Sequence, residues 1–294
     1  MKLLSKIQAG LLTALTLSIS LTALPAHAEP TPHTITPSVT SPSLVAFDSS
    51  GRLWNYDLIG DRRQIGTGWN SMRDLKTADW NQDRIQDIVA VGHNGHLYLY
   101  LGIPTGGFTR SIIGTGWGSY DIEVGQWKQT DQYPSIVAVN LETGLLYNYP
   151  NLSGAGLAAR VVEGRGWGGS LAHHLADFET DGRADIIAQD SITGKLYLYK
   201  TDGSGNFTHG PMTVGTGWSA MNAVVAISGY GGDHMICNCP TESAQTGLLA
   251  RTSDGILHHY GMLYGSWQTR DQVGPGWNGY TIAGSESPRR ISFE

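Results

Sequence analysis

The chain has 294 residues, 39 of them glycine, with 40% hydrophobic and 15% charged side chains. That balance excludes a disordered chain and suits a turn-rich β protein. The formal charge of −6, with no basic run longer than Arg289-Arg290, argues against a phosphate backbone as partner.

Lys2 and Lys6 open the sequence, an apolar run extends from about Ile7 to Leu24, and Pro25 precedes Ala26-His27-Ala28. A basic start, an apolar stretch and a small-x-small site make a secretion signal, expected in residues 1–28 and cleaved after Ala28. A retained membrane anchor is the other reading. Gln8, the serines and threonines and Pro25 count against it. Loss of the two lysines would leave the exported, extracellular chain at −8. Residues 29–42 are rich in Pro, Thr and Ser and form a leader that buries little. The folded domain is expected over 43–294.

Within that domain Gly-Thr-Gly-Trp occurs at Gly66–Trp69, Gly114–Trp117 and Gly215–Trp218. Gly164-Arg165-Gly166-Trp167 and Gly274-Pro275-Gly276-Trp277 complete the series. The tryptophans step by 48, 50, 51 and 59 residues. A fixed aromatic at such a period marks a repeat architecture.

Each unit has three phrases. The first is an apolar run: Leu44–Asp48, Asp87–Val91, Ile136–Asn140, Asp185–Gln189 and Leu248–Arg251. Its length and continuity predict a strand covered on both faces. The second follows a glycine and carries large side chains at alternate positions, as in Trp54 and Tyr56 or Tyr98 and Tyr100, which is strand period. The third leads into the Gly-x-Gly-Trp phrase. Asp, Asn, Ser and Gly between the first two phrases supply hairpin turns. Three or four short strands per unit make one propeller blade.

The chain enters mid-unit at Leu44 and ends just after the last Gly-x-Gly-Trp, with Tyr280-Thr281-Ile282-Ala283. The ends complement each other, so an all-β, five-bladed β-propeller is expected. Its closing blade would join residues near 279–284 to residues 43–56, which removes exposed sheet edges. An open β-solenoid or a pair of sandwiches is the competing reading.

Asp177-Phe178-Glu179-Thr180-Asp181-Gly182-Arg183-Ala184-Asp185 resembles the FG-GAP/VCBS-type repeat of secreted bacterial proteins, and Asp79 to Ala90 is a second copy. The five Ile-Gly-x-Gly-Trp-like phrases resemble tachylectin-type five-bladed lectins. That likeness covers about residues 43–284. It implies one N-acetylhexosamine-type sugar site per blade, near the blade junctions.

Asp79, Asn81, Asp83 and Asp87, with the Ile85 carbonyl, alternate oxygen donors along one loop. Asp177, Glu179, Asp181 and Asp185, with the Arg183 carbonyl, repeat the pattern. Such a set suits Ca²⁺, so up to two structural calcium ions are expected. Gly182 supplies the sharp turn, and Arg84 replaces it in the first copy, which should strain that loop. The alternative is that these side chains only cap turns. A paired-carboxylate glycosidase site fits the short spacing less well.

The ring of Trp69, Trp117, Trp167, Trp218 and Trp277 has two readings. Each indole either stacks against a sugar or is packed between blades, and its large apolar area favours packing. Asn70, Tyr120, Asn278 and Tyr280 lie close in sequence and join the ligand-binding candidates, as hydrogen-bonding groups or alternative platforms.

Cys237 and Cys239 are the only cysteines, and export would allow a strained local disulfide. Residues 229–245 look like a loop insertion in the longest unit. His173-His174 and His258-His259 place neighbouring rings on opposite strand faces, so neither pair is a ready chelate. No nucleophile elbow, phosphate loop or zinc-protease motif occurs. The expected function is therefore a secreted, non-catalytic, lectin-like protein with glycan partners. An adhesion or protein-interaction propeller is the alternative. A polysaccharide hydrolase or lyase with its site in the central channel comes third.

Overall fold

The strands form because each phrase has strand period and ends on a residue that turns. Leu44–Phe47 and Asp87–Gly92 are buried along their whole length, as a strand covered on both faces must be. Leu53–Tyr56 alternates buried and half-buried positions. The last strand of a unit, such as Phe108–Gly114, is largely exposed, so its polar residues cost nothing there.

The computed structural model describes residues 37–39, 43–56, 62–169, 171–228 and 246–285. All of them fall in the second of two compact units, residues 35–294. Five sheets are formed, one per unit, antiparallel but for one short C-terminal strand added to the second. Blade 1 joins Thr281–Ile282, Leu44–Phe47, Leu53–Tyr56 and Arg62–Gly66. Blade 2 holds Met72–Ala78, Asp87–Gly92, Leu97–Gly102 and Phe108–Gly114. Blade 3 holds Tyr120–Gly125, Ser135–Asn140, Leu145–Tyr149 and Val161–Arg165. Blade 4 holds Leu171–Ala176, Asp185–Asp190, Lys195–Tyr199 and Met212–Gly215. Blade 5 holds Met221–Ser228, Thr246–Thr252, Leu257–Leu263 and Asp271–Gly274, with the short Ser266–Trp267 beside it. Two single-turn 3₁₀ segments, Trp69–Ser71 and Trp218–Ala220, are the helical elements among the described residues.

The first strand of each blade follows the Gly-x-Gly-Trp phrase and runs along the axis. In blade 1 that strand comes from the C-terminal segment: Ile282 pairs with Ala46 and Thr281 with Phe47. This is the closing blade expected from the complementary ends. The same segment goes one step further, because Gly284 and Ser285 pair in parallel with Lys76 and Thr77 of blade 2. One short tail therefore ties two blades together.

The core lies between blades. One cluster packs Val89, Leu97 and Leu99 of blade 2 against Ile122, Ile136 and Tyr147 of blade 3. Each blade alone would leave an apolar sheet face in water, so the ring is the unit that folds. Cys237 and Cys239, with the expected insertion at 229–245, lie outside the described residues. So do residues 1–36, which include the expected signal and most of the leader.

The acidic loops connect the first and second strands of blades 2 and 4. Trp80 and Phe178 occupy the second position of these loops and are buried, which pins each loop to the core. Arg84 stands at φ 71 where the second loop has Gly182 at φ 79. A side chain in the left-handed region costs about 1–2 kcal/mol. Arg84→Gly should recover about 1 kcal/mol in urea unfolding, after the entropy of the extra glycine is deducted. A destabilised variant would show that Arg84 earns its place through its side chain.

Candidate functional site

The Gly-x-Gly-Trp phrase has a physical explanation. A Cβ on the first glycine of the first four copies would stand 2.3–2.7 Å from the indole nitrogen. The second glycine has φ between 79 and 89 in all five copies. Together they fold the chain back so that the tryptophan N–H donates to the hairpin glycine of its own blade. Trp69 does so to Gly51, Trp117 to Gly95, Trp167 to Gly144, Trp218 to Gly194 and Trp277 to Gly255, all at 2.8–3.0 Å.

Each indole then crosses to the next blade and packs at a tilt of 35–48° against a tyrosine. The pairs are Trp69–Tyr100, Trp117–Tyr149, Trp167–Tyr199, Trp218–Tyr260 and Trp277–Tyr56, with ring centroids 4.5–4.9 Å apart. The last pair crosses from blade 5 to blade 1, so the aromatic chain closes with the ring. The five indoles are only 5–8% exposed. They are packed between blades, and the tyrosines above them are half-buried.

Asn70 and Asn278 are exposed and lean over Gly51 and Gly255 of their own hairpins. Tyr120 is buried beside Trp117, and Tyr280 is half-buried beside Trp277. Of these four, Arg160 reaches Tyr120, at the junction of blades 2 and 3. Its Nη1 donates to Tyr120 Oη at 3.0 Å and to Tyr149 Oη at 3.3 Å, and its guanidinium lies 4.3 Å from the centre of Tyr147. Arg110 sits 5.4 Å from the Tyr98 ring and Arg62 4.6 Å from the Trp54 ring. Burial pushes Tyr149 and Tyr56 up to about 12, against the pull of these arginines.

The arginines escaped the motif reading, although a signal exists. Arg62, Arg110, Arg160 and Arg270 each stand seven residues before a motif tryptophan, and Pro211 takes that place in blade 4. Aligning the units on tryptophan exposes the position.

The acidic loops bring their carboxylates to the loop backbone. Asp87 accepts from the Trp80 and Gly102 amides at 2.9 and 2.7 Å. Asp177 accepts from the Asp181 and Gly182 amides at 3.0 and 2.8 Å. Asp181 accepts from the Arg183 amide, and Glu179 pairs with Lys200. Asp79 accepts from the Arg84 amide, and Asn81 and Asp83 bond each other. The Ile85 amide donates to Asp83. Among the described residues no group of three or more His, Cys, Asp and Glu is arranged to hold a metal ion. One feature does fit a cation: Asp185 Oδ2 is buried without a hydrogen-bond partner, while Oδ1 accepts from Thr201 at 2.9 Å. Burial raises both Asp87 and Asp185 to about 7, which a bound cation would reverse.

A second site lies on the axis. A cavity of about 340 Å³ is lined by residues of all five axial strands, among them Arg73, Lys76, Glu123, His174 and Tyr280. Lys76 Nζ lies 3.1 Å from Glu123 and 3.6 Å from Asp74. His173 Nδ1 lies 2.7 Å from Asp121, and His174 Nδ1 stands 3.5 Å from Glu123. Burial works against His173's charge, yet Asp121 holds its pKa above the usual histidine value. Burial likewise opposes the charge on Asp121, but His173 holds its pKa below the usual range. No sequence motif marks this group, because each strand supplies one or two members.

No family model matches the chain, and no curated protein matches it. The FG-GAP/VCBS likeness therefore stands on the quoted residues alone. Among solved structures, Aleuria aurantia lectin in complex with α-methyl-L-fucoside is 17% identical over 79% of this chain and 78% of its own, with a TM-score of 0.45. The AofleA protein of Arthrobotrys oligospora is 13% identical over 84% of this chain and 72% of its own, with a TM-score of 0.46. Another structure of the Aleuria lectin, described as a six-bladed propeller, is 15% identical over 79% and 78%, with a TM-score of 0.42. Lectin propellers are thus among the structural neighbours. Values this low assign neither blade number nor ligand, and the five blades rest on the chain's own strand pairing.

Proposed function

We propose that this protein is an exported, non-catalytic glycan-binding propeller whose contacts lie at the blade junctions. The observation that supports this reading is one arrangement recurring at three junctions. An indole lies beneath, a half-buried tyrosine covers it, and Arg62, Arg110 or Arg160 lies over the neighbouring aromatic ring. Sugars are held by an apolar platform with a few placed donors. The tyrosine and arginine, rather than the sealed indole, are the groups a sugar would meet. Weak sites repeated on a rigid ring gain from multivalency on a dense glycan surface.

A glycan array, with α-methyl-L-fucoside and N-acetylhexosamines in the panel, tests this. The triple variant Arg62→Ala, Arg110→Ala, Arg160→Ala should lose at least about tenfold in binding, since each charged hydrogen bond is worth about 1.5–3 kcal/mol. Undiminished binding would remove the junctions from the proposal. Absence of binding to any glycan at high protein density would leave the protein-interaction reading.

Calcium belongs to the proposal as a stabiliser of the Asp177 loop. Asp177, Glu179, Asp181, Asp185 and the Arg183 carbonyl would hold it. Asp177 and Asp181 would first have to release the amides they now accept from. Addition of Ca²⁺ at a hundredfold excess over Kd should add about 2.7 kcal/mol, and EDTA should remove it. A melting temperature indifferent to both would make the loops ordinary turns.

A further inference from the structure

We infer that the axial cavity is a binding site for a small organic carboxylate, a ligand different from the glycan proposed at the junctions, although Arg73 and Arg251 share backbone carbonyls with junction residues. The inference begins with charge pairing. Each carboxylate in the cavity has a cation of its own: Glu123 and Asp74 share Lys76, and Asp121 has His173. The two arginines have no carboxylate within ion-pair distance, although Arg73 acts on Asp74 from further away. Among the described residues neither Arg73 nor Arg251 forms an ion pair. Both are held by backbone carbonyls instead, and Arg251 Nε also donates to Asn222 Oδ1 at 2.7 Å. Arg73 Nη2 donates to Trp117 O at 3.0 Å and to Tyr120 O. Arg251 Nη1 donates to Trp277 O at 2.9 Å and to Tyr280 O at 2.6 Å. Carbonyl dipoles orient a guanidinium without cancelling its charge, so two fixed positive groups face one cavity.

Unused donors point the same way. Arg73 Nε is buried without a hydrogen-bond partner. His174 is 4% exposed; its Nδ1 faces Glu123 at 3.5 Å, and its Nε2 is buried without a hydrogen-bond partner. The Lys76 ammonium has three hydrogens and two carboxylates beside it. Buried polar groups left unpaired carry an uncompensated desolvation cost, and an incoming acceptor recovers part of it. The cavity volume of about 340 Å³ is at the lower end for ligand pockets and suits a molecule of monosaccharide size. An anion with hydroxyl groups would satisfy the arginines and His174 together. A cation would meet Lys76 and both guanidiniums.

The test uses the full exported chain, with sodium glucuronate as the probe and glucose as its neutral counterpart. Calorimetry at low ionic strength should show glucuronate binding and glucose failing to bind. His174→Leu and Arg251→Gln should each weaken glucuronate binding at least tenfold, and Arg251→Lys should keep most of it. If Arg251→Gln does not fold, His174→Leu alone decides, since its ring holds no backbone group. Equal binding of glucose and glucuronate, no binding of either, or unchanged binding in His174→Leu would each overturn the inference.

Discussion

Trp117→Ala is expected to lower stability by about 3–5 kcal/mol, the range for deleting a large buried aromatic. The indole is 5% exposed, packs at a tilt against Tyr149 with centroids 4.6 Å apart and lies 5.2 Å from the Tyr120 ring. It belongs to the cluster that joins blade 2 to blade 3. The backbone hydrogen bond from its N–H to Gly95 survives the substitution. The loss is therefore one of packing, and it falls on a blade junction. For a domain of this size the melting temperature should drop by roughly 6–20 °C. Trp117→Phe should lose much less. Near-normal melting combined with lost glycan binding would show instead that the indole itself is the sugar platform.

Lys76→Met is the second large effect. Lys76 is 4% exposed, and its ammonium neutralises Glu123, itself 2% exposed. Burial works against the ammonium, yet Asp74 and Glu123 hold its pKa above the usual lysine value. Removing one member of a buried ion pair leaves an uncompensated charge and costs about 3–5 kcal/mol. The sign with pH follows. Without Lys76, burial should raise the folded-state pKa of Glu123. A raised carboxylate pKa gives stability that is present at low pH and lost as pH rises through it. The deficit of Lys76→Met should therefore be larger at pH 8 than at pH 5. Lys76→Met with Glu123→Leu should recover part of the loss, because the Lys76 and Glu123 charges are then both gone while Asp74 still lacks its ammonium. A single variant that melts like the wild type at pH 8 would mean that water in the channel already screens Glu123.

The proposed glycan site divides between what the repeat exposes and what packing decides. Alignment of the five units marks Trp69, Trp117, Trp167, Trp218 and Trp277, and the same alignment places an arginine seven residues earlier in four of them. The repeat alone leaves open whether an indole faces a sugar or a neighbouring blade. That choice depends on Tyr56, Tyr100, Tyr149, Tyr199 and Tyr260, each supplied by the next unit. The axial group is hidden for a related reason. Lys76, Glu123 and His174 are separated by about fifty residues each and belong to three different blades.

By itself the sequence determined the period, the strands and the closure. Apolar runs, alternation and turn residues act over a few neighbours, and the two complementary ends leave one way to remove the free edges. The tertiary structure alone decided which aromatic rings are sealed, which arginines reach them, and which charges share the axis. Those outcomes depend on distances between residues of different blades, and such distances exist only once the ring has closed.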